Sequence, residues 1–158
     1  MPLTKIKFIV VGNTRSPFLK EGEFFYLKRI QRYTPTEWVE VKPQKITRGR
    51  SPEEILKMEA RSIAAKCLPD DHVIILDTKG DEYDSEGFAG LLARLLQTHK
   101  RICFIIGGPL GLSRDLIQSA GHAVSLSRLT LTHEMSRLVL LEQVYRAHTI
   151  MKGEKYHK

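Results

Sequence analysis

Short apolar runs rich in β-branched residues alternate along this chain with longer segments of helical periodicity, and this alternation constrains the fold most strongly. Because a helical segment separates successive strands, neighbouring strands are expected to run parallel. We therefore predict an α/β fold with a mostly parallel sheet and helices on both faces, forming one domain over residues 1–158. The predicted strands are Ile6–Val11, Trp38–Val41, His72–Leu76, Ile102–Ile106 and Ala123–Leu126.

The strand at Ile102–Ile106 (ICFII) is wholly apolar, which predicts a central position in the sheet. The segment that begins at Ser51 carries the signals of a helix start, with Pro52 in the first turn and Glu54 placed to complete a capping box. The predicted helices are Phe18–Arg32, Ser51–Lys66, Ser85–His99, Ser113–Ala120 and His133–Met151.

The formal net charge of +7 favours an anionic partner, and nucleic acid is the commonest one. The segment KPQKITRGR (42–50) is predicted to be a basic loop, either touching phosphate or simply solvated. The short N-terminal apolar run does not resemble a signal peptide, and no stretch has the ~20 apolar residues of a membrane span. Cys67 and Cys103 lack metal or redox spacing, so we expect no metal and a soluble, cytoplasmic protein without membrane partners.

Three predicted strand ends carry residues suited to ligand contact, namely Leu76-Asp77, Gly107-Gly108 and Leu126-Ser127. Parallel sheets bind ligands beyond the carboxyl ends of their strands. The glycines at 107, 108 and 111 have GGxxG spacing, and the region around Arg128 offers no acidic ribose anchor, which disfavours a dinucleotide-binding dehydrogenase. A plain structural turn remains the alternative to a ligand loop.

The last predicted helix combines ionisable side chains with an apolar set wider than one core-facing stripe. This width suggests burial against a second subunit. Glu142 and Arg146 have the i, i+4 spacing of an ion pair, which is either structural or functional. His133 starts the helix after a predicted Thr132 cap, where the helix dipole favours a neutral imidazole.

Four ordered motifs together resemble one family, the large-subunit ribosomal RNA pseudouridine N3-methyltransferases of the SPOUT (α/β-knot) superfamily. The motifs are Ile105-Ile106-Gly107-Gly108-Pro109-x-Gly111-Leu112, Leu126-Ser127-x-x-Thr130-Leu131-x-His133, Glu142-Gln143-x-Tyr145-Arg146-Ala147 and Tyr156-His157-Lys158. The resemblance extends from the first strand to Lys158. It departs from the family pattern at Thr132, where many members have Pro, and at Leu110, where many have an acidic residue.

The resemblance implies a C-terminal trefoil knot, bound S-adenosylmethionine and a homodimer whose subunits share the active cleft. It also implies methylation of N3 of a pseudouridine in 23S rRNA of the assembled ribosome. The implied cofactor contacts are Leu76, Gly107, Gly108, Leu126, Ser127, Arg128, Leu129, Thr130 and Leu131. The implied RNA contacts are Tyr156, His157 and Lys158, with Arg146 beside them.

Loss of the N3 proton is expected to need a base or a stabilised anion. The candidate catalytic residues are His133, His157 and Glu142 for proton removal, and Arg137 or Arg146 for the developing negative oxygen. Two other functions stay open: a non-catalytic RNA-binding module, and a related knot methyltransferase acting on tRNA.

Overall fold

The computed structural model describes residues 3–158, which form five strands and five helices in strict alternation. The strands are β1 (Lys5–Val11), β2 (Thr36–Val41), β3 (His72–Glu82), β4 (Arg101–Ile106) and β5 (His122–Ser125). The helices are α1 (Pro17–Ile30), α2 (Pro52–Ala64), α3 (Ser85–Thr98), α4 (Arg114–Ser119) and α5 (His133–Met151). The predicted α/β class is therefore confirmed.

The strands form one sheet in the order β2-β1-β4-β3-β5, and every neighbouring pair is parallel. β4 lies in the middle, as its apolar sequence predicted. In register, Phe104 of β4 stands between Phe8 of β1 and Ile74 of β3, and the rings of Phe8 and Phe104 stack at 5.4 Å. All three side chains are buried, so the centre of the sheet is anchored by apolar packing.

Helices cover both faces of the sheet. One core cluster joins the sheet to α1, α3 and α5 through residues such as Ile30, Leu92 and Leu140. A smaller cluster on the other face joins it to α2 and α4, where Ile63 and Leu116 pack. The predicted cap of α2 is present, because Ser51 Oγ accepts a hydrogen bond from the backbone N–H of Glu54 at 3.2 Å.

β3 is longer than predicted and continues past Leu76 to Glu82. Its pairing with β5 is interrupted, since Val124 lies opposite Leu76 and, after a register shift, also opposite Asp81. Gly80 permits this close approach, because a Cβ there would lie 2.6 Å from the backbone carbonyl carbon of Ala123. The predicted boundary was wrong because the polar residues Asp81 and Glu82 resume backbone pairing with β5 beyond the irregularity. The trefoil knot stays a prediction, since strand order alone does not define it.

The wide apolar surface of α5 is covered in large part within one protomer. α5 packs against both α1 and α3, and every residue from His133 to Met151 is at least partly buried. These two helices cover much of this width, and burial of α5 against a second subunit stays a prediction. Large exposed apolar side chains also lie on α1, at Phe18, Phe24 and Phe25.

Candidate active site

A cleft of about 410 Å³ opens at the carboxyl-terminal edge of β3, β4 and β5, within the usual size range of small-molecule sites. Three segments form its walls, and they are the three strand ends that the sequence singled out. Its lining comprises Leu76, Asp77, Thr78, Ile106, Gly107, Gly108, Pro109, Gly111, Val124, Ser125, Leu126, Ser127, Leu129, Leu131, Thr132, His133 and Ser136. The cleft is therefore built by residues far apart in sequence but adjacent across a parallel sheet.

The wall after β4 is a tight glycine turn. Gly108 and Gly111 form an isolated antiparallel bridge, and the N–H of Gly111 donates to the Gly108 carbonyl at 3.0 Å. Gly111 has φ +81°, a conformation that favours glycine. A Cβ on Gly107 would lie 2.6 Å from the Gly111 carbonyl carbon and nearer still to its oxygen. Both positions thus require glycine for the turn to close.

The wall after β5 is held by hydrogen bonds between hydroxyl side chains and backbone groups nearby in sequence. Ser125 Oγ donates to the Ser127 carbonyl at 3.2 Å, and Ser127 Oγ accepts from the Leu129 N–H at 3.0 Å. Thr132 caps α5 by accepting from the Met135 N–H at 3.1 Å, which confirms the predicted cap. These bonds fix the backbone of the loop, so its remaining carbonyl and amide groups are available to a ligand.

The cleft lining carries one carboxylate, from Asp77, and no lysine or arginine. His133 lies at the start of α5 within the lining. Burial, followed by the nearby Arg137 charge, lowers the pKa of the His133 imidazole, so it is neutral at physiological pH. The site therefore combines apolar walls with a net negative character, which suits a cationic ligand of moderate size.

Arg137 is fully buried one turn after His133 and lies outside the cleft lining. Its guanidinium donates to the Val11 carbonyl at 2.6 Å and to Thr14 Oγ1 at 3.0 Å, while its Nε has no partner within residues 3–158. Thr14 in turn donates to Glu23 at 2.5 Å, and burial raises the pKa of that carboxyl. Arg137 thus holds the β1–α1 loop against α5, and its predicted contact with substrate stays a prediction.

A second group of predicted residues meets further along α5. Glu142 Oε1 accepts from Arg146 Nη2 at 2.6 Å and from the Tyr156 hydroxyl at 3.0 Å, and Arg146 Nη1 lies 3.1 Å from His157 Nδ1. The Glu142 carboxylate raises the pKa of Arg146. We call Glu142, Arg146, Tyr156 and His157 the tail cluster; Lys158 follows it and is exposed.

The cleft and the tail cluster are separate in one protomer. Glu142 lies about 14 Å along the helix axis from His133, given the rise of an α-helix, and no tail-cluster residue lines the cleft. Of the predicted cofactor contacts, Leu76, Gly107, Gly108, Leu126, Ser127, Leu129 and Leu131 line it. Arg128 and Thr130 do not line it, and Arg128 pairs with Glu82 at 3.0 Å instead. Contact of these two residues with a cofactor stays a prediction.

Some lining residues were not singled out from the sequence. Val124 and Ser125 were read only as strand residues, although they directly precede Leu126. Ser136 lies one helical turn after His133, so helical periodicity from the predicted cap could have found it. Within residues 3–158, no group of His, Cys, Asp or Glu side chains is arranged to hold a metal ion. In the same range, no helix has the length and apolar character needed to cross a bilayer.

Known proteins are similar to this chain over nearly its full length. The family profile described as "Predicted SPOUT methyltransferase" matches residues 4–157. Three relatives are each called "Ribosomal RNA large subunit methyltransferase H". The relative from Thermotoga neapolitana is 43% identical over 149 residues, covering 94% of this chain and 97% of its own. Those from Carboxydothermus hydrogenoformans and Bacillus cereus are 40% and 41% identical, covering 98% and 97% of this chain and 99% of their own.

A solved structure supports the fold independently of sequence. The structure titled "a probable methylase family protein from Haemophilus influenzae Rd KW20" aligns with a TM-score of 0.57 at 12% identity. The alignment covers 97% of this chain and 70% of that one. The family profile over residues 4–157 and the relatives at 40–43% identity show that the chain belongs to the SPOUT methyltransferase family.

Proposed function

We propose that this protein transfers a methyl group from S-adenosylmethionine to N3 of a pseudouridine in 23S rRNA. The observation that carries the proposal is the cleft itself, where three strand-end segments meet in a chain that belongs to a methyltransferase family. The names of the relatives support ribosomal RNA of the large subunit as the substrate. The choice of N3 of a pseudouridine as the methylated atom rests on the family resemblance described above.

The cleft residues fit S-adenosylmethionine in size and charge. The cofactor carries a positive sulfonium and a positive amino group, and the lining offers the Asp77 carboxylate with no opposing cation. The neutral state of His133 removes the remaining source of repulsion. Leu76, Leu126, Leu129 and Leu131 would enclose the adenosine part, and the backbone after β4 and β5 would hydrogen-bond its polar edges.

The chemistry needs few groups from the protein. When bound, the cofactor would supply an electrophilic methyl on its sulfonium, and loss of that methyl breaks one S–C bond and leaves a neutral thioether. His133 is neutral and faces the cleft, so it can accept the proton that leaves N3 as the N–C bond forms. Arg137 acts on His133 by holding the first turns of α5 in place. If the tail cluster meets the cleft of a second protomer, Glu142 and His157 are alternative bases. Arg146 is then a candidate to stabilise the developing oxygen anion.

A homodimer would bring the tail cluster to a cleft. Phe18 and Phe24 are 66% and 69% exposed on α1, and large exposed apolar side chains mark interaction surfaces. Because the tail cluster does not reach the cleft of its own protomer, pairing of two protomers would let each tail serve the other's cleft. Tyr156, His157 and Lys158 would then contact RNA beside the cofactor. The same proposal places the enzyme in the cytoplasm, where ribosomes are its substrate.

The test is methyl transfer from labelled S-adenosylmethionine to three substrates: ribosomes from a strain lacking this protein, naked 23S transcript, and bulk tRNA. We expect transfer to ribosomes, with the label on N3 of one pseudouridine. Transfer only to tRNA would favour a related knot methyltransferase. If calorimetry detects no binding of S-adenosylmethionine, a non-catalytic RNA-binding module is favoured. Either of these results overturns the proposal. Native mass spectrometry is expected to show a dimer.

A further inference from the structure

A group of exposed basic side chains lies apart from both the cleft and the tail cluster. Four are in the loop between β2 and α2, and two are on the exposed side of α2. We call them the basic belt: Lys42, Lys45, Arg48, Arg50, Lys57 and Arg61. No acidic residue occurs from 42 to 50, and without the four loop cations the net charge falls from +7 to +3. More than half of the net charge of this chain is therefore concentrated in one loop.

Glu53 and Glu54 lie between Arg50 and Lys57 in sequence, but they do not pair with the belt cations in the described part of the chain. None of its six side chains forms an ion pair with any residue in the range 3–158, although lysines and arginines elsewhere pair with Asp or Glu. Arg50 makes one long hydrogen bond, 3.5 Å to the Gln44 side chain. Unpaired exposed cations attract phosphate at little desolvation cost, so the belt is suited to a polyanion.

The base of the loop is fixed beside the glycine turn. The Gln44 N–H donates to Glu59 Oε2 at 3.1 Å, and Glu59 is 5% exposed. The other oxygen of Glu59 would lie 4.0 Å from a Cβ on Gly108, and Pro43 packs 3.4 Å from the Cβ position of Gly12. The loop therefore emerges at the same carboxyl-terminal edge of the sheet as the cleft, two strands away from β4.

The surface continues into a groove between α2 and α4. Lys57 and Arg61 lie one turn apart on its α2 side. Small side chains at Ala60, Ala64 and Ser119 keep the groove open, and its α4 side also carries the acidic residue Asp115. At the other end of the belt, Ile46 is 67% exposed among cations, where an apolar side chain can pack on a ribose or an unstacked base.

We propose that the basic belt is a second RNA-binding surface, which holds the phosphates of the rRNA segment next to the target loop. This inference rests on the proposed function, since it concerns how that substrate is held. It differs from the tail, because the belt contacts backbone phosphates and the tail contacts the target loop itself. The belt thus accounts for affinity and its salt dependence, and the cleft accounts for the reaction.

The test compares two triple variants that lose the same charge. The belt variant is Lys42→Gln, Lys45→Gln and Arg48→Gln. The control is Lys66→Gln, Arg94→Gln and Lys100→Gln, which are exposed residues at the opposite edge of the sheet. Binding to ribosomes from a strain lacking the protein is measured at several salt concentrations, with thermal melting to verify folding and calorimetry to verify unchanged cofactor affinity.

We expect the belt variant to bind ribosomes at least about tenfold more weakly near 0.1 M salt, with a log–log salt slope smaller by about two. The control is expected to stay within about threefold with an unchanged slope. Equal losses in both variants, or binding of the wild type to vesicles of phosphatidylcholine and phosphatidylglycerol in preference to ribosomes, would overturn the inference. If the wild type binds ribosomes through the belt but transfers no methyl, the proposed function fails and the belt stands.

Discussion

Substitution of Gly107 tests whether the glycine turn shapes the cleft. A Cβ there would lie 2.6 Å from the Gly111 carbonyl carbon, where contacts of about 3.4 Å are ordinary. The obstacle is backbone, so no side-chain rotation relieves it, and overpacking of this kind costs about 1–3 kcal/mol. Gly107→Ala should therefore open the turn and break the hydrogen bond from Gly111 to Gly108.

The cost should appear in cofactor binding. If the cofactor requires the closed turn, binding must restore it against that 1–3 kcal/mol, which corresponds to an affinity weaker by about fivefold to about 150-fold. Isothermal titration calorimetry with S-adenosylmethionine measures this directly. The matched control is Gly108→Ala, since the nearest atom to its Cβ is Val11 Cγ1 at 3.4 Å, an ordinary contact. That variant should keep the turn closed, so its loss of cofactor affinity should be smaller than that of Gly107→Ala.

The outcome that refutes this reasoning is wild-type affinity in Gly107→Ala, or equal losses in the two alanine variants. The first would show that the turn is not part of the cofactor site. The second would show that any added methyl group disturbs the loop, whatever its surroundings.

Buried ionisable side chains and the tail cluster allow three further tests. Burial lowers the pKa of His148 to about 4, so the unfolded chain takes up this proton first as pH falls below 6.5, and folding stability drops. Between pH 8 and pH 5, this histidine lowers the free energy of unfolding by about 2 kcal/mol. Urea unfolding at both pH values should therefore show a loss of stability in His148→Phe that is smaller than the wild-type loss by that amount. An equal loss in the two proteins contradicts the assignment. Arg137→Met leaves the Val11 carbonyl without its donor and should lower unfolding free energy by about 2–4 kcal/mol, with a change under about 0.5 kcal/mol counting against the network. Glu142→Gln weakens the hydrogen bonds to Arg146 and Tyr156. Because one charge-assisted hydrogen bond contributes about 1 kcal/mol or more, methyl transfer to ribosomes should fall at least about fivefold, with unchanged cofactor affinity. Reduced cofactor affinity would instead place Glu142 in the cleft.

Much of the fold could be predicted from the sequence because local patterns coincide with the tertiary structure. The apolar run of β4 predicted its central position, and the bounds of α5 agree from His133 to Met151. The extension of β3 could not be predicted, because Asp81 and Glu82 pair with β5 after a register shift, and backbone pairing of polar residues leaves no side-chain pattern. The two neighbours of α5 could not be predicted for a similar reason, since the breadth of its apolar face does not show that α1 and α3 pack against it.

The site was partly predictable. Strand ends of a parallel sheet meet at one edge, so Leu76, Gly107 and Leu126 were correctly expected to share a neighbourhood. Separation of the cleft from the tail cluster was not foreseeable, because sequence spacing does not show which side of α5 faces which element. The buried state of Arg137 was hidden as well, since its partners lie more than a hundred residues earlier in the chain.

The most direct test of the central claim is mass spectrometry of nuclease-digested 23S rRNA from cells that lack this protein. The account predicts that one pseudouridine loses one methyl group at N3, and that a plasmid copy of the wild-type chain restores it. The Gly107→Ala copy should restore it poorly under limiting expression. An unchanged pattern of 23S rRNA methylation in the deletion strain would contradict the account.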